Sequence, residues 1–132
     1  EFIGNSGTTL PFKIDCDALT DGDLDCLARR YAATRSDGWT FGEIVGVPRG
    51  GLRFAEALRR HLKVDGNVAG SPILIVDDVL TTGGSLEKFR RKRYPIRCAS
   101  VVYGLVIFAR GAVPAQVTPI FTLNDQFALR ER

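Results

Sequence analysis

Apolar positions change period several times along the chain, and each change marks a new element. Leu24, Leu27, Ala28, Tyr31 and Ala32 recur at the three- and four-residue spacing of one helix face, which predicts an amphipathic helix over 20–35. Thr20 stands where an N-cap hydroxyl is wanted, and Asp21, Asp23 and Asp25 put negative charge near the positive end of that helix. Ser36-Asp37-Gly38 breaks it. Positions 41–47 have strand character and end abruptly at Pro48-Arg49-Gly50-Gly51. Phe54, Ala55, Leu58 and Leu62 share one face of a second predicted helix over 52–62, followed by a turn-rich stretch over 64–71. Ile73-Leu74-Ile75-Val76 is apolar without alternation, the pattern of a parallel strand covered on both faces, and is expected to end at Asp77-Asp78. A third helix is predicted over 86–93, stopped by Tyr94-Pro95. A strand over 98–108 interrupted at Gly104 and a last strand over 117–123 complete the pattern.

Strands alternating with helices predict an α/β fold: a single domain over 1–132 with a mostly parallel sheet flanked by helices. In such sheets ligands bind beyond the carboxyl ends of the strands, where the Pro48 and Asp77 segments fall. A length of 132 residues suits one core, and 45% hydrophobic with 25% charged residues is the balance of a globular protein. No apolar run approaches the roughly 20 residues of a membrane span, so no membrane association is expected. The beginning lacks the basic-then-apolar order of a signal peptide, so a cytoplasmic address is expected. Cys16, Cys26 and Cys98 are odd in number and lack CxxC spacing, which predicts reduced thiols, not a disulfide frame or zinc site. The net charge of +3 suits phosphate-bearing ligands without demanding nucleic acid. The aspartates over 15–25 fit no calcium-loop frame. His61 is expected to complement a helix C-terminus, and Trp39 to pack in the core. Lys88, Arg90, Arg91, Lys92 and Arg93 read first as a solvated helix end, with an RNA-binding face as the sharper alternative.

The most informative chemistry lies in Asp77-Asp78-Val79-Leu80-Thr81-Thr82-Gly83-Gly84-Ser85. A turn over 81–85 can curl its backbone N–H groups around a phosphate, with hydroxyls and the following helix N-terminus adding to the cradle. Carboxylates beside such a pocket repel phosphate, so their fitting partners are sugar hydroxyls or Mg²⁺ held through water. No GxxxxGK[ST] occurs, which excludes a Walker loop.

This segment resembles the signature of type I phosphoribosyltransferases that binds 5-phosphoribosyl-1-pyrophosphate (PRPP). The resemblance implies that Asp77 and Asp78 engage the ribose hydroxyls, and that Thr81, Thr82, Gly83, Gly84 and Ser85 hold the 5′-phosphate. Pro48-Arg49-Gly50-Gly51 is similar to that family's pyrophosphate loop, where a non-proline cis peptide often occurs; Pro48–Arg49 is then the candidate bond. Asp77, Asp78 and Arg49 become the expected catalytic residues, with Mg²⁺ carried by PRPP and water instead of direct protein ligands. PRPP and a nucleobase are the implied substrates and a homodimer the implied assembly, while nucleic acid is not expected as a partner.

Positions 2–15 resemble the opening of orotate phosphoribosyltransferases, which divides the domain into a reduced hood over 1–19 and a core over 20–132. The same likeness places Ser6 and Phe12 near the base and sets Asn5 where a lysine is common. Arg110 would lie where it could pair with a carboxylate on the base. Orotate is therefore the favoured acceptor. Positions 47–52, the acid pair, Tyr94-Pro95 and Ile107-Phe108-Ala109-Arg110 also resemble xanthine-guanine phosphoribosyltransferases. A PRPP-sensing regulator that binds nucleic acid is the non-enzymatic alternative. Orotate enzymes carry a mobile basic loop before the signature strand. Here the interval 63–72 has one lysine and no arginine, so that lid is expected to be absent or supplied otherwise.

Overall fold

Thr20 begins the first long helix through two reciprocal bonds in the computed structural model, which describes residues 2–3, 9–10, 16–35, 40–66, 70–80, 84–95 and 101–123. Its hydroxyl accepts from the Asp23 amide at 3.0 Å, and the Asp23 carboxylate accepts from the Thr20 amide at 2.9 Å. This capping box satisfies two otherwise orphaned donors. The elements run β1 (Phe2–Ile3), β2 (Thr9–Leu10), a 3₁₀ turn (Cys16–Ala18), α1 (Asp21–Ala33), β3 (Thr40–Phe41), β4 (Glu43–Gly46), α2 (Leu52–Arg59), β5 (Lys63–Val64), β6 (Ile73–Leu80), α3 (Gly84–Arg93), β7 (Val102–Arg110) and β8 (Val117–Leu123).

The main sheet has the order β4-β6-β7-β8, and every pairing in it is parallel. β3 pairs β5 in parallel, and β1 pairs β2 antiparallel. Helices cover both faces of the main sheet. On one, Leu24, Ala28 and Tyr31 of α1 and Phe54 and Leu58 of α2 meet Ile44, Leu74, Val76, Leu105 and Ile107. On the other, Leu86 of α3 and Tyr94 meet Ile73, Ile75 and Val106. Burial on two faces is what the unalternating run at Ile73 anticipated. Each large side chain so buried contributes about 1.5–3 kcal/mol.

Several boundaries differ from the sequence expectation. The strand expected over 41–47 divides at Gly42, whose amide donates to Pro72 O at 2.8 Å. Thr40 and Phe41 pair with β5, while β4 turns to β6. β4 therefore lies at the border of the main sheet, where the Arg59 guanidinium donates to Ile44 O from Nε (3.1 Å) and Nη2 (2.7 Å). That cap satisfies a carbonyl an edge strand would otherwise leave open. α2 ends at Arg59 and not at Leu62, although Leu62 still packs in the core. β7 runs straight through Gly104, where a Cβ would come within 3.0 Å of Leu86 Cδ2 and Val117 Cγ2; neighbouring side chains fill the space a larger residue would need. Trp39 and Cys98 lie outside the described residues.

Candidate functional site

β6 is longer than its apolar run. It continues through Leu80, with Asp77 opposite Val106, Val79 opposite Phe108 and Leu80 opposite Ala109, so both acids belong to the strand and not to the loop after it. The ladder to β7 supplies backbone partners that keep polar residues extended. The Asp78 amide donates to Asp77 Oδ1 and the Val79 amide to Asp78 Oδ1, each at 2.8 Å. Alternation breaks across this pair. Leu74 and Val76 pack on the α1–α2 side, whereas Leu80 packs with Ile73 and Ile75 on the α3 side.

The two carboxylates have different surroundings. Asp77 is 7% exposed, and burial, reinforced by the Asp78 carboxylate, pushes its pKa up to about 7. Asp78 is half-buried and lines a cavity of about 250 Å³ together with Cys16, Leu24, Arg49, Gly50, Arg53 and Ile107.

Arg49 and Gly50 reach this cavity through the turn that ends β4. The Val47 amide donates to Val76 O at 2.8 Å, and the Gly51 amide closes the turn on Val47 O at 2.9 Å. The Pro48–Arg49 peptide is cis. A Cβ on Gly50 would collide with the Asp78 carboxylate, and one on Gly51 with the Val76 carbonyl. These two glycines let the turn lie directly on β6.

The structure thus brings Arg49, Gly50 and Asp78 to one cavity, with Asp77 buried beside Asp78. Gly84 and Ser85 form the first turn of α3, which starts before the expected position 86. Thr81, Thr82 and Gly83 lie outside the described residues, as do Ser6 and Phe12. Arg110 is the last residue of β7, partly buried and not among the residues lining this cavity. Sequence reasoning missed Cys16, Leu24, Arg53 and Ile107. Only Arg53 carried a usable signal, a second cation four residues after Arg49.

Other charged groups are engaged elsewhere. Glu87 binds Arg90 at 2.6 Å and Arg91 at 3.1 Å, and Arg90 draws the Glu87 carboxyl down to about 2. Arg93 and the Tyr94 hydroxyl both reach Glu43. The basic run on α3 is therefore partly neutralised within the fold. His61, expected to complement a helix end, lies 2.7 Å from Asp25 Oδ1 and ties α2's exit to α1. A larger cavity of about 340 Å³ between α3 and the sheet is walled by Ile75, Leu86, Val102, Pro114 and Val117, among others, and holds neither motif.

Asp77 leads to a pH prediction. Its folded pKa lies above the ordinary 3.8, so the native state holds the extra proton between about pH 4 and 7. The contribution of this group is fully present below that window and is lost as pH rises through it. Asp77→Asn removes the proton site. Urea titrations are expected to show wild-type stability falling relative to the variant between pH 4 and 7, then a constant difference above. Parallel curves across that range would refute the burial assignment.

No protein-family profile matches the chain. It is 33% identical over 66 residues to the adenine phosphoribosyltransferase of Acaryochloris marina (strain MBIC 11017), a match covering half of this chain and 39% of that protein. The chain thus spans about two fifths of that curated relative's length. Orotate phosphoribosyltransferase from Aeropyrum pernix superposes with a TM-score of 0.71 at 21% identity, over 98% of this chain and 88% of its own. Leishmania donovani UMP synthase gives 0.71 at 21%, over 92% of this chain and 32% of that one. Mycobacterium tuberculosis orotate phosphoribosyltransferase, solved in complex with PRPP, gives 0.67 at 16%, over 92% and 86%.

Proposed function

From the premise that the chain has the type I phosphoribosyltransferase fold, we propose that it binds PRPP and transfers the phosphoribosyl group to a nucleobase, with orotate the favoured acceptor. One observation carries this: Arg49 and Gly50 of the turn after β4 and Asp78 of β6 line a single cavity at the carboxyl ends of adjacent parallel strands. Departure of pyrophosphate from C1 builds positive charge on the ribose and negative charge on the leaving group. Arg49, on the cavity wall, stabilises that negative charge. Asp78 accepts from a ribose hydroxyl, and Asp77 holds Asp78's amide in place. The 5′-phosphate meets the N-terminus of α3, where Gly84 and Ser85 open the helix. The base nitrogen attacks the ring face opposite the leaving group, and the protein's part is positioning and neutralisation.

The Asp78 carboxylate at the cavity offers a hard oxygen donor, which fits Mg²⁺ brought in by the substrate and held through water. When bound, the ion supplies further charge neutralisation to the pyrophosphate. The proposal includes a homodimer and a cytoplasmic site of action. Among the described residues no helix is long and apolar enough to cross a membrane.

Orotate is supported by the likeness of positions 2–15 to orotate enzymes and by the fold of the orotate-type structures. A purine acceptor is the second reading, favoured by the 66-residue match to an adenine enzyme. Incubating the protein with Mg²⁺, PRPP and each of orotate, adenine, guanine, xanthine and hypoxanthine, while following pyrophosphate, decides between them. Orotate is expected to give the fastest release. Release with a purine alone would move the assignment to the second reading. Silence with all five bases, with PRPP binding intact by calorimetry, would replace the enzyme with a PRPP sensor.

A further inference from the structure

Arg53 lies in the first turn of α2 and lines the cavity that holds Arg49 and Asp78. Its Nη2 donates to Leu19 O at 3.0 Å and to Asp21 Oδ1 at 2.8 Å. Both acceptors belong to the segment entering α1, where the Thr20–Asp23 capping box closes the helix start. One nitrogen therefore anchors the guanidinium at the cavity wall, while Nε and Nη1 take no part in these two bonds.

The charged groups lining the cavity are the guanidiniums of Arg49 and Arg53 and the carboxylate of Asp78. Asp21, outside that lining, takes one nitrogen of Arg53, so Nε and Nη1 of Arg53 and the guanidinium of Arg49 are the donors this wall offers an anion. Guanidiniums pair best with two oxygens each, so two of them suit a group with oxygens on two neighbouring phosphorus atoms. We propose that Arg53 is a second anion-contacting residue of this site and, with Arg49, selects a diphosphate over a single phosphate. This rests on the PRPP assignment above and specifies how its leaving group is held.

Calorimetry on the full chain with Mg²⁺ tests it, using pyrophosphate, orthophosphate and ribose 5-phosphate as probes. Arg53→Gln is expected to weaken pyrophosphate binding by about tenfold or more, the scale of one lost charge-assisted bond. Orthophosphate and ribose 5-phosphate should change by less than about threefold, so that the preference for diphosphate narrows. Asp21→Ala removes the anchor but not the cation; it should lower the melting temperature slightly and keep pyrophosphate binding within about threefold of wild type. Wild-type pyrophosphate affinity in Arg53→Gln would overturn the proposal. An equal loss in Asp21→Ala would overturn it too, since Arg53 would then be only a strut between α2 and α1. Should the unmodified protein bind neither ribose 5-phosphate nor pyrophosphate, the PRPP assignment itself falls.

Discussion

Gly51→Ala is expected to destabilise the protein by about 3 kcal/mol, the upper end of what overpacking costs. Gly51 is buried, and a Cβ there would run into the Val76 carbonyl and come within 2.7 Å of the Val47 amide nitrogen. Those two atoms are partners in the hydrogen bond that holds the turn on the sheet. Both are backbone, and β6 is held on its two sides by β4 and β7. No rotamer change can relieve the collision, so the turn must lift or the ladder must shift. Lifting the turn also costs the Val47–Val76 bond, roughly 1 kcal/mol more. Urea denaturation should show the midpoint falling steeply in Gly51→Ala, with PRPP binding lost as Arg49 is displaced. An unchanged midpoint would refute this account of how the turn is seated. Gly50→Ala presents a milder case, because what it meets is the Asp78 side chain, which can swing away.

Asp78→Asn is expected to lower affinity for Mg²⁺–PRPP by about 10- to 100-fold, the scale of losing a hydrogen bond to a charged group. Asp78 is the one acid among the residues lining the cavity, and asparagine keeps its size while removing the charge. An amide can still accept one bond from a ribose hydroxyl, but a weaker one than a carboxylate accepts, and in turnover it no longer counters the positive charge that develops on the ring. Stability should move the other way. The Asp78 carboxylate helps to push Asp77 upward, so its removal eases the ionisation of the buried acid near neutral pH. Calorimetry with PRPP and urea unfolding at pH 7.5 measure the two effects separately. Loss of binding together with a large loss of stability would mean that Asp78 is a structural residue.

Much of this architecture can be read along the chain because its causes are local. The Thr20 cap, the helical spacing from Leu24 to Ala32 and the apolar run at Ile73 each act within a few residues, and α1, β8 and the start of β6 appear where they are expected. Boundaries are less legible. Asp77 and Asp78 have poor strand propensity, yet β7 lies alongside and extends the ladder to Leu80. Gly104 suggests an interruption that β7 does not show, whereas Gly42, inside an expected strand, divides it because different neighbours claim its two halves.

The order of the three helices and the four main-sheet strands among the described residues, the two glycine-bearing motifs and the acid pair were determined by the sequence alone, since cap chemistry, side-chain period and the smallness of glycine operate over short stretches. Only the tertiary structure decided that Asp77 is buried while Asp78 opens to a cavity, and that Cys16, Leu24, Arg53 and Ile107 join Arg49 there. Those residues come from four separate elements, and what unites them is the docking of α1 and α2 on one sheet face, a consequence of long-range apolar burial that no short window of sequence contains.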